Sequence, residues 1–251
     1  MNTPNTIQQH LNNNTVIASI ILGIAFIGGL WAYGQRPTTD EVITITGSAK
    51  ETVVADLATY TLSLDKTYPV ATGLKAMIAD FEKKTSILAG AMKNRGVLPE
   101  TIKIGEISVQ KNYESTGYMV NTQNIVAYSL SRTISTETKD IELAKKLAKE
   151  MNTAAANNDL ALSSSSANYQ YMGLEVLRPK LLKLATEDAK VKAEAMASST
   201  GRSIGSLRAG RMGVVQVLAK NSVDVSDYGS YDLSNPEKDV FVTVNVTFEL
   251  K

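Results

Sequence analysis

Three aspartates and two tyrosines crowd one polar stretch of this chain, between Lys220 and Lys238. Asp224, Asp227 and Asp232 offer the oxygen ligands that a hard cation such as calcium requires, and Tyr228 and Tyr231 add amphipathic rings suited to a protein contact. The spacing departs from that of an EF-hand loop. Three readings stand side by side: a solvated loop, a weak calcium site and a contact between subunits. The solvated loop leads, since connecting segments ordinarily run over the surface. A connection this long marks either function or a lack of fixed structure.

Two further patterns imitate catalytic motifs. Gly201-Arg202-Ser203-Ile204-Gly205 fits the G-x-S-x-G of a nucleophile elbow, but that elbow needs a strand before the serine and a helix after it. Here a helical pattern precedes and a strand pattern follows, so Gly201 reads as a helix stop. Ser108 and Lys111 fit S-x-x-K, yet they lie in an alternating segment instead of at a helix start, and the companion motifs are missing.

Composition narrows the chemistry further. The chain has no cysteine, which removes disulfides, thiolate catalysis and the commonest zinc sites. Its only histidine, His10, precedes a long hydrophobic run, so the region beyond that run has no imidazole for a triad or a general base. The 26 basic and 25 acidic side chains nearly cancel, which argues against nucleic acid as a partner. No pair of acids stands out for a carboxylate-dependent hydrolase, and the expectation is a protein without catalysis or cofactor.

The hydrophobic run is the clearest element. No ionisable side chain occurs from Leu11 to Gln35, and Val16 to Tyr33 reads VIASIILGIAFIGGLWAY. Such a run, at about 1.5 Å per residue, spans a hydrocarbon core of roughly 30 Å. Its backbone must then be bonded internally, as a helix. Ile17, Ile21, Phe26 and Leu30 would face lipid, with Trp31 and Tyr33 at the headgroup level. A cleaved signal peptide is the competing reading; Met1 to Thr15 lacks the basic residues that it needs. The expected organisation is a short polar tail over 1–15, a transmembrane anchor over 16–34, a linker over 35–41 and a folded domain over 42–251, with the lipid bilayer as a partner.

Within that domain the apolar period alternates between two and that of a helix. Ile43 and Ile45, then Tyr60, Leu62 and Leu64, mark two strands. Val70, Leu74, Met77, Ile78, Phe81, Thr85, Leu88 and Met92 form a helical stripe, ended near Gly96 and Pro99. A strand follows from Ile102 to about Tyr113, with a bulge near Gly105 to reconcile its two phases, and a returning strand carries Val126, Tyr128, Leu130 and Ile134. Ile141 to the Asn157–Asn158 region reads as a second helix, Leu160 to Tyr171 as a strand, and Leu174 to Thr200 as a third helix with a stripe of Leu182, Ala185, Ala189, Ala193 and Met196. Strands at about Leu207 to Ala219 and Val240 to Leu250 close the chain. This order predicts an α+β fold, a largely antiparallel sheet with helices packed on one face. The strand tyrosines Tyr113, Tyr118, Tyr128, Tyr169 and Tyr171 read as core or sheet-edge residues, with a subunit interface as the alternative.

Four stretches in this order resemble the SIMPL-domain family of bacteria: ITITGSAKETVVADLATYTLSL from Ile43, the hairpin YESTGYMVNTQNIVAYSLSRTI from Tyr113, LLKLATEDAKVKAEAMASSTGRSIGSL from Leu181, and the closing VFVTVNVTFEL from Val240. Ala55 stands where many members carry proline, a difference confined to a turn. The resemblance implies an α+β domain on the far side of the inner membrane, in the periplasm, attached by a single-pass helix; charge around the helix does not fix this orientation. It also implies self-association, since some members form ring-like or channel-like oligomers, and a link to envelope stress. It brings no catalytic residues, and no small-molecule ligand is identified.

Overall fold

The computed structural model describes residues 6–34, 41–116, 120–222 and 228–251, with side chains at all of these except 6–15, 30, 32–34, 116 and 120–122. The expected linker over 35–41 therefore lies almost wholly outside the described residues, as do Gly117 and Tyr118.

Helix α1 spans Thr6–Gly34, and every described side chain from Val16 to Gly29 is exposed. Ile17, Ile21, Phe26 and Trp31 are 54%, 62%, 70% and 70% exposed; Leu30 and Tyr33 lie outside the described side chains. Among the described residues no helix is long and apolar enough to cross a membrane.

The α+β expectation holds, with a correction: two antiparallel sheets replace the single one. The first contains β1 (Val42–Val54), β7 (Ile204–Met212), β8 (Gln216–Ala219) and β9 (Glu237–Leu250). The second contains β2 (Leu57–Pro69), β3 (Lys103–Ile104), β4 (Ser108–Thr116), β5 (Val120–Thr138) and β6 (Ala161–Gln170). β1 and β2 follow one another with only Ala55 and Asp56 between them, yet they do not pair, and each enters its own sheet.

Each sheet is built on one long strand. β9 pairs with β1 on one side and with β7 and β8 in succession on the other; β5 pairs likewise with β2, and with β3 and β4. Both broken edges contain a glycine that keeps its ladder bond, Gly213 N to Thr243 O and Gly105 N to Thr133 O, each at 2.8 Å. A Cβ at Gly213 would come within 2.3 Å of Thr243 Oγ1. The segment expected as a strand with a bulge near Gly105, Ile102–Tyr113, and the one expected as an unbroken strand, Leu207–Ala219, are each broken at a close approach of glycine to the partner strand.

Helices cover one face of each sheet. On the second, α2 (Leu74–Asn94) and α3 (Ile141–Asn157) bury Met77, Phe81, Leu88, Met92, Leu147 and Met151 against Tyr60, Leu62, Leu64, Leu130 and Ile134. Val70 lies outside α2, in a short 3-10 turn, and is exposed with Leu74. α3 starts where Asp140 accepts a hydrogen bond from Leu143 N at 2.9 Å, an N-cap that satisfies an otherwise unpaired helix-end donor.

On the first sheet lies α4 (Leu174–Ser199). Its buried row is Leu177, Leu181, Ala185, Ala189, Ala193 and Ala197, a run at strict i+4 spacing. Leu182 and Met196, read as part of that stripe, are instead exposed. The row follows the inclined i±4 ridge, so its two ends meet different neighbours: Leu177 and Leu181 pack with Val217, Val240 and Val242, and the alanines pack with Val244, Val246 and Phe248. Contact is closest at Gly47 on β1, where a Cβ would lie 2.0 Å from Ala185 O.

Candidate functional site

The segment of described residues that carries most of the sequence-predicted site, 228–236, forms a strap across the junction of the two sheets. It bonds to the first sheet through Val217 N to Ser230 O (2.8 Å) and Asp232 N to Val217 O (2.7 Å). To the second it bonds through Tyr169 N to Leu233 O (2.8 Å), and Ala55 N, at the crossing between sheets, donates to Pro236 O (2.8 Å). Small side chains fill the interior beneath it: Ala55, Ala58 and Ala144, against Tyr169.

Two of the predicted residues lock this strap. The Tyr231 hydroxyl accepts from Tyr171 N at 2.8 Å and donates to Tyr171 O at 3.3 Å. The Asp232 carboxylate folds back on its own chain, accepting from Ser234 Oγ at 2.6 Å and Asn235 N at 3.0 Å, an Asx-type turn. Tyr228, by contrast, is 97% exposed. Asp224 and Asp227 lie outside the described residues.

The residue that anchors Asp232 was not singled out from sequence. Lys238, at the start of β9, has a fully covered side chain; its Nζ donates to the Asp232 backbone carbonyl and lies 3.3 Å from Asp232 Oδ2 and 5.7 Å from the Tyr231 ring centre. Burial pushes the Lys238 ammonium below its ordinary pKa, with Asp232 opposing the shift. Burial works to raise the Asp232 pKa as well, but the Ser234 hydroxyl, the N–H groups of Asn235 and Ser234, and Lys238 outweigh it and hold the carboxyl below its usual value.

The next residue, Asp239, points to the opposite face of the strand and is also buried. It accepts from Thr52 Oγ1 at 2.6 Å, Lys50 Nζ at 3.0 Å and Asn221 N at 3.0 Å. Chiefly through Thr52, these partners hold it below the usual carboxylate range. Lys238 and Asp239 thus clamp β9 from both faces where the strap joins it.

Beside the strap lies a cleft of about 620 Å³, bounded by Val54 from β1, Glu142 and Lys145 from α3, and Lys220, Asn221, Asn235 and Glu237 from the ends of the long connection. Its charges are paired internally, Lys145 with Glu142 at 2.7 Å and Lys220 with Glu237 at 2.9 Å. Such a wall suits a small polar ligand and offers no nucleophile with a base beside it. Among the described residues no group of three or more acidic or histidine side chains could hold a metal ion; Asp232, the described member of the predicted cation set, spends its oxygens on Ser234 and Asn235.

The two imitation motifs resolve as structure. Gly201 adopts φ 72° just past α4, and Ser203 exchanges backbone bonds with Lys251 at 3.0 and 2.8 Å. Ser108 pairs with Ser131 and Lys111 with Tyr128 in the β4–β5 ladder.

The sequence profile of SIMPL, described as a protein of unknown function (DUF541), matches residues 43–248. The chain belongs to the SIMPL family. That match runs from β1 to Phe248 within β9, so both sheets, the strap and the cleft are parts of the SIMPL domain, and α1 precedes it. No curated protein matches the chain. A crystal structure of a candidate aminohydrolase from methicillin-resistant Staphylococcus aureus is a distant neighbour, at 12% identity and a TM-score of 0.26. The alignment covers 52% of this chain and 32% of that one, so the SIMPL chain spans about a third of its length.

Proposed function

We propose that this SIMPL protein is a non-catalytic envelope module, held at the inner membrane by α1 and self-associating through its periplasmic domain. The observation that carries the proposal is an arm. β5 is 19 residues long, but its partner β2 ends at the pair Pro69–Ala127. Beyond that pair, residues 120–126 of β5 are bonded, among the described residues, to β4. A two-stranded ribbon is marginal on its own in water, and this ribbon holds Tyr113 and Val126 at 42% and 50% exposure. Apolar and aromatic side chains on an uncovered ribbon favour docking against a second subunit.

Membrane attachment rests on the uncharged run from Val16 to Tyr33, and the periplasmic side rests on what the family resemblance implies. The absence of catalysis rests on a domain without cysteine or histidine and on a cleft whose charged groups neutralise one another. Alkaline carbonate should leave the chain in the membrane pellet, and light scattering on the full chain in detergent should give a mass above that of one subunit. Release into the supernatant, or a monomer, would count against the proposal.

The cleft supports a second reading, a module that binds a small polar molecule beside the 220–238 connection. Its volume falls within the roughly 300–1,000 Å³ common for ligand sites. Calorimetry with calcium separates out the metal version of this reading, which predicts heat that is lost when the loop is deleted.

A further inference from the structure

The turn that ends α3 carries a carboxylate where helix chemistry disfavours one. Asp159 follows the Asn158 cap with φ 54°, a left-handed position that glycine or asparagine ordinarily fills. It also sits at the negative end of the helix dipole. Its carboxylate nevertheless accepts from Lys66 Nζ of β2 and lies 3.2 Å from Lys84 Nζ of α2, and Lys66 Nζ also donates to the Asp159 carbonyl at 3.1 Å.

Exposure at this cluster is uneven. The lysine side chains are only 15% and 20% exposed, whereas that of the aspartate is 82% exposed. Two largely covered lysines are thus met by a carboxylate that reaches them from the solvent side on a turn, and Lys84 also pairs with Asp80 at 3.3 Å. Hollows of about 340 and 540 Å³ open beside Asp159, the first edged by Asp80, Lys83 and Lys84, the second by Asp65 and Lys66.

We infer that Lys66 and Lys84 form a binding site for an external carboxylate or phosphate group, filled here by Asp159 as an internal stand-in that leaves when such an anion arrives. With Asp159 turned out, Lys84 keeps Asp80 at 3.3 Å, and the two ammonium groups of Lys66 and Lys84 outnumber that carboxylate, so the vacated site is net positive. Glycine adopts the left-handed turn without steric cost, so Asp159→Gly empties the site and keeps the backbone.

The test is calorimetry on the full chain in detergent, with inorganic phosphate and acetate as probes and chloride at matched ionic strength as the reference. Asp159→Gly should bind one of these anions about tenfold more tightly than the unaltered chain, because a stand-in that occupies the site most of the time weakens apparent affinity in proportion. Adding Lys84→Met should abolish the gain, and the anion with the larger gain identifies the ligand class. Equal affinity in the two proteins, a gain that survives Lys84→Met, or no binding heat to Asp159→Gly would overturn the inference. Circular dichroism checks the fold of each variant, and Asp159→Asn, which tolerates the same turn, repeats the comparison if the glycine form unfolds.

Discussion

Lys238 and Asp232 differ in what each leaves behind when removed. Asp232→Ala strands a buried ammonium and undoes the turn at Ser234 and Asn235, so a loss of about 3 kcal/mol is expected, the scale for breaking one side of a buried pair. Lys238→Met fills the same space without a charge, and the cost should be distinctly smaller. Urea denaturation of both variants tests the order. The carboxyls of Asp80, Asp159, Asp188, Asp232 and Asp239 are all held below 3.8 in the fold. Below pH 3.8 the unfolded chain takes up protons that the folded chain resists, so the stability these groups supply is complete above that pH and drains away beneath it. Midpoints of thermal unfolding measured from pH 6 down to pH 2 should therefore stay nearly flat and then fall steeply below ~4. Lys238 was legible in the sequence in one respect: it is in phase with Val240, Val242, Val244 and Val246, all buried, and a lysine in that register has to find a partner. Which partner it finds was not legible for Asp239, whose bonds to Lys50 and Thr52 join residues 189 and 187 positions away.

Among the elements, helices were read more faithfully than strands. The bounds of α3 and α4 follow from local signals, an aspartate cap at one end and Gly201 past the other. What escaped was the phase of α4, because a row at i+4 and a stripe at 3.6 diverge towards the ends of a long helix; Leu182 and Met196 fit the stripe, but the sheet follows the row. The break at Gly105 shows in the sequence as the phase change between Ile104 and Ile107, whereas the break at Gly213 escaped, since nothing in the alternation there marks a glycine pressed on a neighbouring strand. Two glycines test the packing at this scale. Gly47→Ala drives a methyl into the backbone of α4 and should cost roughly 1–3 kcal/mol. Gly90→Ala, within α2 and facing open space, should instead add about 0.5–1 kcal/mol. If denaturant titrations gave the two substitutions the same sign, the close approach of β1 to α4 would be wrong.

At the scale of the molecule, the two sheets share a plan: one long strand, an unbroken neighbour on one side and a glycine-broken pair on the other. They differ where β5 outruns its sheet as the arm, and where β9 is tied to the strap by Lys238. The alternation of Val240 to Leu250 announced β9 plainly, but nothing local announced that β1 and β2 enter separate sheets, because partner choice is made by strands distant in sequence. Self-association through the arm is the claim on which the functional account turns, and the lack of native cysteine permits a direct measurement. In Tyr113→Cys the arm carries a single thiol, which a bismaleimide can join to that of a neighbouring copy in intact membranes; Lys149→Cys, on the exposed side of α3, is the reference. A strong band of twice the subunit mass for Tyr113→Cys, and little for Lys149→Cys, is the predicted result. No such band, or bands of equal strength from both, would contradict the account.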